Sequence, residues 1–409
     1  MDSATTEVIH HFLILILFVL SVGLISGKIA GLLRLPDVAV FIAAGMLLGP
    51  GLHLLSEPES SAVNQLILTV GSALILFDGG RGLALGGLRK VWITVALLSV
   101  PGVLITVGVV GVGIHYLFGV DWLFSLLTAA VIASTDPASI IPVFRQVRIK
   151  ESVRETVESE SAFNDATGSI LTFSLLAVVA GSGTLSAGQM TLDFLKTALG
   201  GILVGVVVSG ILTYLTAHAR HGLLRDYTTI VMLITGLGSY LIGDLLGVSG
   251  FMATFVAGVI WGNAEVFGLS MEEKKLEVSS FAENITVMMR MLIFVLLGSH
   301  VNFGTLIDYF WPSLAAVLVL MFVARPLTVF LCALADRKVK WTVKEMLFMC
   351  WVRETGVIPA ALSGMIVGMG VAHADVIAGI TFMSIVLTIM IQASTTGAVA
   401  RKLGLEVKT

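Results

Sequence analysis

Two aspartates, Asp136 and Asp165, stand inside long apolar runs of this sequence, where an ionised side chain is costly. Neighbouring bases indicate their depth, since Asp136 lies nine residues before Arg145 and Asp165 lies eleven residues after Arg154. At the rise of an α-helix these spacings are ~13 Å and ~16 Å. The two carboxyl groups are therefore predicted to lie at a similar depth, on neighbouring helices, near the centre of a membrane.

This pair of carboxyl groups is suited to holding a small cation, because hard cations such as sodium prefer several oxygen ligands. The oxygens on offer belong to Asp136, Asp165, the Ser161 hydroxyl and a backbone carbonyl near Thr135. Two close carboxylates in a poorly hydrated site resist joint ionisation, and either a proton or a cation relieves that repulsion. Competition for one site is the physical basis of cation/proton exchange. The alternative interpretation of Asp136 is a helix cap at a break.

The composition predicts an all-α polytopic membrane protein. Of 409 residues, 56% are hydrophobic and 12% are charged, whereas soluble domains have about 25% charged residues. The apolar runs are continuous rather than alternating, which indicates helices and excludes a barrel. The expected surroundings are the lipid bilayer, and neither a nucleic-acid partner nor a bound cofactor is expected. Thirteen spans are predicted, at 9–30, 37–50, 62–80, 91–118, 121–144, 156–181, 191–217, 227–244, 248–262, 277–299, 305–334, 343–369 and 375–399.

The distribution of basic residues supports this number of spans and gives an orientation. Of 24 Lys and Arg residues, all but four fall in alternate connections or in the tail, and the intervening connections hold none. The exceptions, which lie inside spans, are Lys196, Arg290, Arg325 and Arg353. By the positive-inside rule, the N-terminus is predicted outside and the C-terminus in the cytoplasm of a cell (inner or plasma) membrane.

Two of the predicted spans are interrupted by proline. The fifth carries Asp136-Pro137 followed by Pro142, and the twelfth carries Arg353 to Gly356 followed by Pro359. If spans 1–6 and spans 8–13 are two repeats, each interrupted span is the fifth of its repeat. One extra span separates the repeats, so they cross the membrane in opposite directions. The predicted fold is thus two inverted six-helix repeats with interrupted crossing helices 5 and 12, a pattern typical of secondary transporters.

Further charged residues are expected to support this site. Arg325 also lies near mid-depth and needs an acidic partner, for which Glu160 is the candidate, with Asn164 bridging the two. Arg353 is expected to form a similar pair with Glu354 or another carboxylate.

Other charged residues have less definite roles. Asp78 is interpreted either as part of an inner funnel or as a solvated cap. Arg290 is expected to pair with Glu283 or to contact another subunit. His218 and His221 are interpreted as interfacial residues, with pH sensing as the alternative.

The chain resembles the NhaP-type sodium/proton antiporters of the cation/proton antiporter superfamily. The matching pieces are Thr135-Asp136-Pro137, Glu160-Ser161 with Asn164-Asp165, Leu76-Phe77-Asp78-Gly79-Gly80, and Arg325-Pro326. The run from Trp351 to Gly356 departs from the Gly-Leu-Arg-Gly sequence common in relatives, which leaves the partner of Arg353 open.

The resemblance implies a homodimer and alternating access by one transporter unit, 1–409. It implies a core domain at approximately 91–181 and 305–400, and a dimerisation domain at approximately 9–80 and 191–299. Ion coordination is implied for Asp136, Asp165, Ser161 and the Thr135 backbone. Asp78 is implied to assist through water, and Glu160, Asn164 and Arg325 to form a stabilising cluster. Asn164, where other members have aspartate, implies electroneutral exchange of one sodium (or lithium) ion per proton.

Three other functions are compatible with parts of the sequence. A potassium/proton antiporter would use the same site. An intramembrane serine protease is the distant alternative, because Gly247 to Gly250 mimics a Gly-x-Ser-Gly nucleophile turn around Ser249. A channel is the third, although inverted halves and buried charges favour a carrier.

Overall fold

The computed structural model describes residues 3–33, 35–55, 58, 60–136, 144, 149–181, 187–217, 222–269 and 274–406. Within these ranges the chain is helical, and the β-structure consists of one isolated bridge between Ile149 and Glu406. The predicted all-α architecture is confirmed. Several residues that carried sequence predictions lie outside the described residues, namely Pro137, Pro142, Arg145, Arg148, His218 and His221.

The α-helices follow one another with short connections. The first seven are α1 (Ser3–Leu33), α2 (Asp37–Met46), α3 (Ala62–Gly82), α4 (Leu85–Ser99), α5 (Pro101–Phe118), α6 (Trp122–Val131) and α7 (Glu151–Val179). The others are α8 (Ala187–Ala217), α9 (Thr228–Leu245), α10 (Gly250–Gly262), α11 (Lys275–Ser299), α12 (Phe303–Asp308), α13 (Phe310–Val319), α14 (Arg325–Ala335), α15 (Val343–Trp351), α16 (Val357–Gly368), α17 (Ala374–Leu387) and α18 (Ser394–Leu403).

Among the described residues, nine helical stretches are long and apolar enough to cross a membrane. Four shorter apolar helices accompany them, at Asp37–Gly51, Trp122–Val131, Gly250–Gly262 and Val357–Gly368. Every predicted span coincides with one of these thirteen stretches, but length and composition alone do not make each a crossing, so thirteen stays a prediction. The fourth stretch begins at Leu85, six residues before the predicted start. It consists of α4 and α5, which follow each other directly.

The interruptions of the fifth and twelfth predicted spans lie where the sequence placed them. Helix α6 ends at Val131, five residues before Asp136, and the twelfth span divides into α15 and α16, with residues 352–356 between them. Pro359 lies in the first turn of α16 rather than in the break. A proline is tolerated there because the first amides of a helix have no intrahelical partner.

The described part of the chain contains three π-helical turns, at Leu47–Gly51, Leu320–Ala324 and Thr388–Ala393. Such turns are frequent at functional sites, because the extra residue re-aims the side chains that follow. The second turn immediately precedes Arg325, and the third begins at Thr388. Both of these residues contact the break between α15 and α16, as described below.

Glycines allow α3 and α10 to pack with their backbones in contact. A Cβ atom on Gly80 would lie 2.2 Å from the Phe255 carbonyl oxygen, and one on Gly258 would lie 2.1 Å from that of Phe77. Small residues at helix interfaces let membrane helices approach closely in this way. Positions 80 and 258 therefore require glycine, because any side chain there would overlap the backbone of the facing helix.

Gly80→Ala is expected to lower the free energy of unfolding by about 1–3 kcal/mol, because the new methyl group overlaps the backbone of α10. Thermal unfolding of the purified protein in detergent measures this. Gly79→Ala is the matched control, because no atom lies within 4 Å of a Cβ atom built there. Equal unfolding temperatures for the two variants would contradict this packing.

Candidate ion-binding site

The two helix breaks meet each other directly. The Asp136 backbone N–H donates to the Glu354 carbonyl oxygen at 2.9 Å. Asp136 Oδ2 accepts a hydrogen bond of 3.3 Å from the backbone N–H of Val357, at the start of α16. A carboxylate is favourable at the N-terminus of a helix, where amides lack partners. The cap interpretation of Asp136 thus applies to the opposite helix, α16.

Glycine is required where the breaks touch. A Cβ atom on Gly356 would lie 1.9 Å from the Cβ atom of Asp136, a separation that no rotamer change can relieve. The side chain of Asp136 therefore occupies the space that any other residue at position 356 would fill.

Arg353, which belongs to the break in the twelfth predicted span, binds the backbone of the break in the fifth. Its Nη2 atom donates to the carbonyl oxygens of Ile132 and Ala133, both at 2.9 Å, just beyond the C-terminus of α6. The expected pairing of Arg353 with Glu354 is wrong, because the guanidinium instead satisfies carbonyls that the end of a helix leaves without partners. Arg353 is 1% exposed, and a cation next to a helix C-terminus is favourable.

Glu354 itself is an unusual feature of this break. Its side chain is 1% exposed, and neither carboxylate oxygen has a hydrogen-bond partner in the part of the chain that the structure describes. Glu354 therefore places a buried acidic group beside the crossing, in addition to Asp136 and Asp165.

Side chains of α7 hold the break that follows α6. Asn164 Oδ1 accepts from the Thr135 backbone N–H at 3.0 Å, and Asn164 Nδ2 donates to Thr135 Oγ1 at 2.9 Å. Ser161 Oγ donates to the Thr135 carbonyl oxygen and lies 2.9 Å from Thr135 Oγ1. The expectation that Asn164 bridges Glu160 and Arg325 is wrong, because both ends of its amide bind Thr135. Ser161 and Thr135 are likewise bound to each other.

Thr388 plays the corresponding part at the other break. Its Oγ1 atom accepts from the Thr355 backbone N–H at 3.0 Å and donates to the Ser384 carbonyl oxygen at 2.7 Å. The sequence analysis missed Thr388, since one threonine in an apolar helix gives no signal of its partner.

Asp165 lies one residue beyond Asn164 and is 8% exposed. Its Oδ1 atom has no hydrogen-bond partner among the described residues, and its charge interacts with that of Asp136. The structure therefore brings the two predicted carboxyl groups together, and direct bonds join the residues that precede them, Thr135 and Asn164. The arrangement has the acidic oxygens and the burial that a dehydrated cation or a proton requires.

The predicted ion pair between Glu160 and Arg325 is present. Arg325 Nη1 donates to Glu160 Oε1, and Nη2 donates to Oε2 at 3.0 Å, so the pair is bidentate. Both residues are buried, at 2% and 3% exposure. Arg325 also donates to the carbonyl oxygens of Met349 at 3.1 Å and Val352 at 3.4 Å. It therefore ties α7 to the end of α15.

Asp78 has its hydrogen bonds away from the crossing. It accepts from Arg81 Nη2 at 2.7 Å and from Thr286 Oγ1 at 3.0 Å, so it joins α3 to α11. Its side chain is 19% exposed, a value that does not decide between an inner funnel and a solvated cap. The expected pair of Arg290 with Glu283 is wrong, because Arg290 pairs with Asp37 at 3.4 Å, and its contact with another subunit stays a prediction.

The serine of the protease-like motif serves a structural purpose. Ser249 Oγ accepts a 3.0 Å hydrogen bond from the Met252 backbone N–H and so caps the N-terminus of α10. The glycines around it are those of a helix start.

Comparison with known proteins places this site in a family. Residues 14–402 match the model of the transmembrane sodium/hydrogen exchanger domain. The chain belongs to the sodium/hydrogen exchanger family. Members of this family are transporters, so the protease alternative is set aside.

Relatives of known name agree with this membership. The chain is 31% identical to Na(+)/H(+) antiporter 1 of Methanocaldococcus jannaschii, with 94% of each chain covered. It is 29% identical to K(+)/H(+) antiporter NhaP of Alkalimonas amylolytica, covering 96% of this chain and 66% of that protein. Its fold is similar to the sodium proton antiporter MjNhaP1 from Methanocaldococcus jannaschii at pH 8, with a TM-score of 0.82, 28% identity, and 98% and 99% of the two chains covered.

Glu160→Gln is expected to lower the free energy of unfolding by about 3–5 kcal/mol, because it leaves the buried Arg325 guanidinium without an opposing charge. Thermal unfolding in detergent measures the loss. The control is Glu277→Gln, which removes the exposed Lys274–Glu277 pair, with side chains 37% and 57% exposed, and should leave the unfolding temperature nearly unchanged because water screens such a pair. A small effect of Glu160→Gln would show that the pair is dispensable.

Proposed function

We propose that this protein is a secondary active antiporter that exchanges sodium or lithium for protons by alternating access. The observation that carries the proposal is the partnerless buried oxygen of Asp165, next to Asp136 at the crossing of two interrupted helices. A proton on either carboxyl group, or a cation between them, relieves their repulsion. Each ion excludes the other, and this exclusion couples their opposite movements.

The proposed ligands of the cation are Asp136, Asp165, Ser161 and Thr135. Ser161 and Thr135 also bind each other, so they would offer the cation their remaining lone pairs. Asn164 and Arg353 hold the breaks in place. The Glu160–Arg325 pair fixes α7 to α15. Asp78 is proposed as an accessory residue that affects ion entry from its ion pair with Arg81.

Sodium is favoured over potassium as the substrate by the antiporters of Methanocaldococcus jannaschii, which are named for sodium and are matched over 94% and 99% of their own length. Potassium is the second candidate, because relatives from Alkalimonas amylolytica and Shewanella oneidensis, matched over 66% and 67% of their own length, are named K(+)/H(+) antiporters. Oxygen ligands alone do not discriminate strongly between these ions.

The proposed assembly is a homodimer in a cell membrane, with the N-terminus outside and the C-terminus in the cytoplasm. Helices α1 and α8 are proposed to face lipid or the partner subunit, since only 22% and 28% of the residues in their most apolar stretches are buried. The proposed core domain is approximately 91–181 and 305–400, which contains both breaks. The proposed dimerisation domain is approximately 9–80 and 191–299, which contains both of these exposed helices.

Asp165→Asn is expected to abolish cation/proton exchange in proteoliposomes, because the amide neither ionises nor attracts a cation. The rate at which added sodium, lithium or potassium dissipates an imposed pH gradient measures exchange and ranks the three cations. Asp308→Asn is the control, since Asp308 is exposed at the end of α12. Proton-driven sodium uptake by a folded Asp165→Asn protein would contradict the proposed site.

Exchange is expected to be electroneutral, since one sodium ion and one proton that share one site carry equal charge. A potassium–valinomycin voltage imposed across the proteoliposome membrane should leave the rate of sodium/proton exchange unchanged within error. A rate that rises or falls with the imposed voltage would remove the one-to-one stoichiometry while leaving the antiport itself intact.

A further inference from the structure

The hydroxyl of Ser134 is buried without a hydrogen-bond partner. Ser134 is 0% exposed, and its Oγ atom has no partner within the residues that the structure describes. Leaving a buried hydroxyl unsatisfied costs about 1–3 kcal/mol, so such a group calls for an explanation. Ser134 directly precedes Thr135 and lies in the non-helical residues that follow the end of α6 at Val131.

A second buried oxygen without a hydrogen-bond partner among the described residues, Asp165 Oδ1, lies near Ser134. The Ser134 side chain lies near the Asp165 carboxylate, although neither Ser134 Oγ nor Asp165 Oδ1 forms a hydrogen bond of normal geometry. Gly168, three residues after Asp165 on the same face of α7, lies against Ser134. A Cβ atom on Gly168 would be 3.3 Å from Ser134 Cβ and 3.5 Å from Ser134 Oγ.

The other hydroxyls of the region are already engaged. Ser161 Oγ donates to the Thr135 carbonyl oxygen, and Thr135 Oγ1 accepts from Asn164. A hydroxyl has one donor and two acceptor sites, so both of these retain only part of their capacity. Ser134 Oγ is the hydroxyl near Asp165 for which no bond is formed within the described residues.

We propose that the Ser134 hydroxyl oxygen is a ligand of the transported cation, together with the carboxylate of Asp165. This inference rests on the proposed antiport and adds a neutral oxygen to the site, which suits a hard monovalent cation without changing the charge balance. Both atoms are buried, and neither has a hydrogen-bond partner of normal geometry among the described residues, so a cation between them would satisfy both.

The test compares Ser134→Ala with Ser239→Ala in the full chain. Ser239 is an equally buried serine of α9 whose Oγ also lacks a partner among the described residues, so it controls for loss of a buried hydroxyl. Ser134→Ala should raise the KM for sodium about tenfold, as expected for one lost polar contact, with the maximal rate within about twofold of the unmutated chain. Ser239→Ala should leave both unchanged.

A measurement independent of transport accompanies this comparison. Sodium that binds the folded state raises the unfolding temperature, and Ser134→Ala should need about ten times more sodium for the same rise. Ser134→Cys replaces the oxygen by a softer sulfur of similar shape. It should weaken stabilisation by sodium more than stabilisation by thallium(I), and it serves as the test if the alanine variant does not fold.

The outcomes separate this inference from the antiport on which it rests. Unchanged sodium dependence in both Ser134 variants, with exchange intact in the unmutated chain, would overturn the role of Ser134 alone. Failure of the unmutated chain to exchange any of the three cations would overturn both. An equal rise in KM for Ser239→Ala would also overturn it, because the effect would then follow from losing any buried hydroxyl.

Discussion

The main constraint on this structure is that two helices are broken where backbone groups cannot bind water. Inside a membrane each unpaired amide or carbonyl is costly, so a break survives only if other protein groups satisfy it. Here each break satisfies the other. Asp136 accepts from the first turn of α16, Arg353 donates to carbonyls at the end of α6, and the two backbones share a hydrogen bond. Neither interruption would be stable alone.

A second layer of side chains holds this crossing on both sides in the same way. On one side Asn164 of α7 accepts from the backbone of Thr135, and on the other Thr388 accepts from the backbone of Thr355. The correspondence is that expected of two repeats with opposite directions. The Glu160–Arg325 pair then anchors α7 to the carbonyls that end α15, so the site is fixed by bonds within one group of helices.

The sequence predicted the parts of this arrangement that depend on charge and depth. The carboxylates of Asp136 and Asp165 and the Glu160–Arg325 pair could be located because an ionised group in an apolar run is rare and its depth follows from the helical rise. The partners of Arg353 and Asn164 could not, because they are backbone atoms or a neutral hydroxyl, which leave no mark in residue types. Thr388 and Ser134 escaped notice for the same reason, as serine and threonine are common in apolar helices.

The contact between Gly356 and Asp136 limits how symmetrical the two halves can be. The backbone N–H groups of Thr135 and Thr355 each donate to a side chain of a neighbouring helix, and the residues that follow them are Asp136 and Gly356. With a hypothetical Cβ atom only 1.9 Å from the Cβ atom of Asp136, there is no room for a side chain at position 356. The volume available where the breaks meet therefore admits a carboxylate from one chain segment only against a glycine on the other, so the two breaks cannot be identical in sequence.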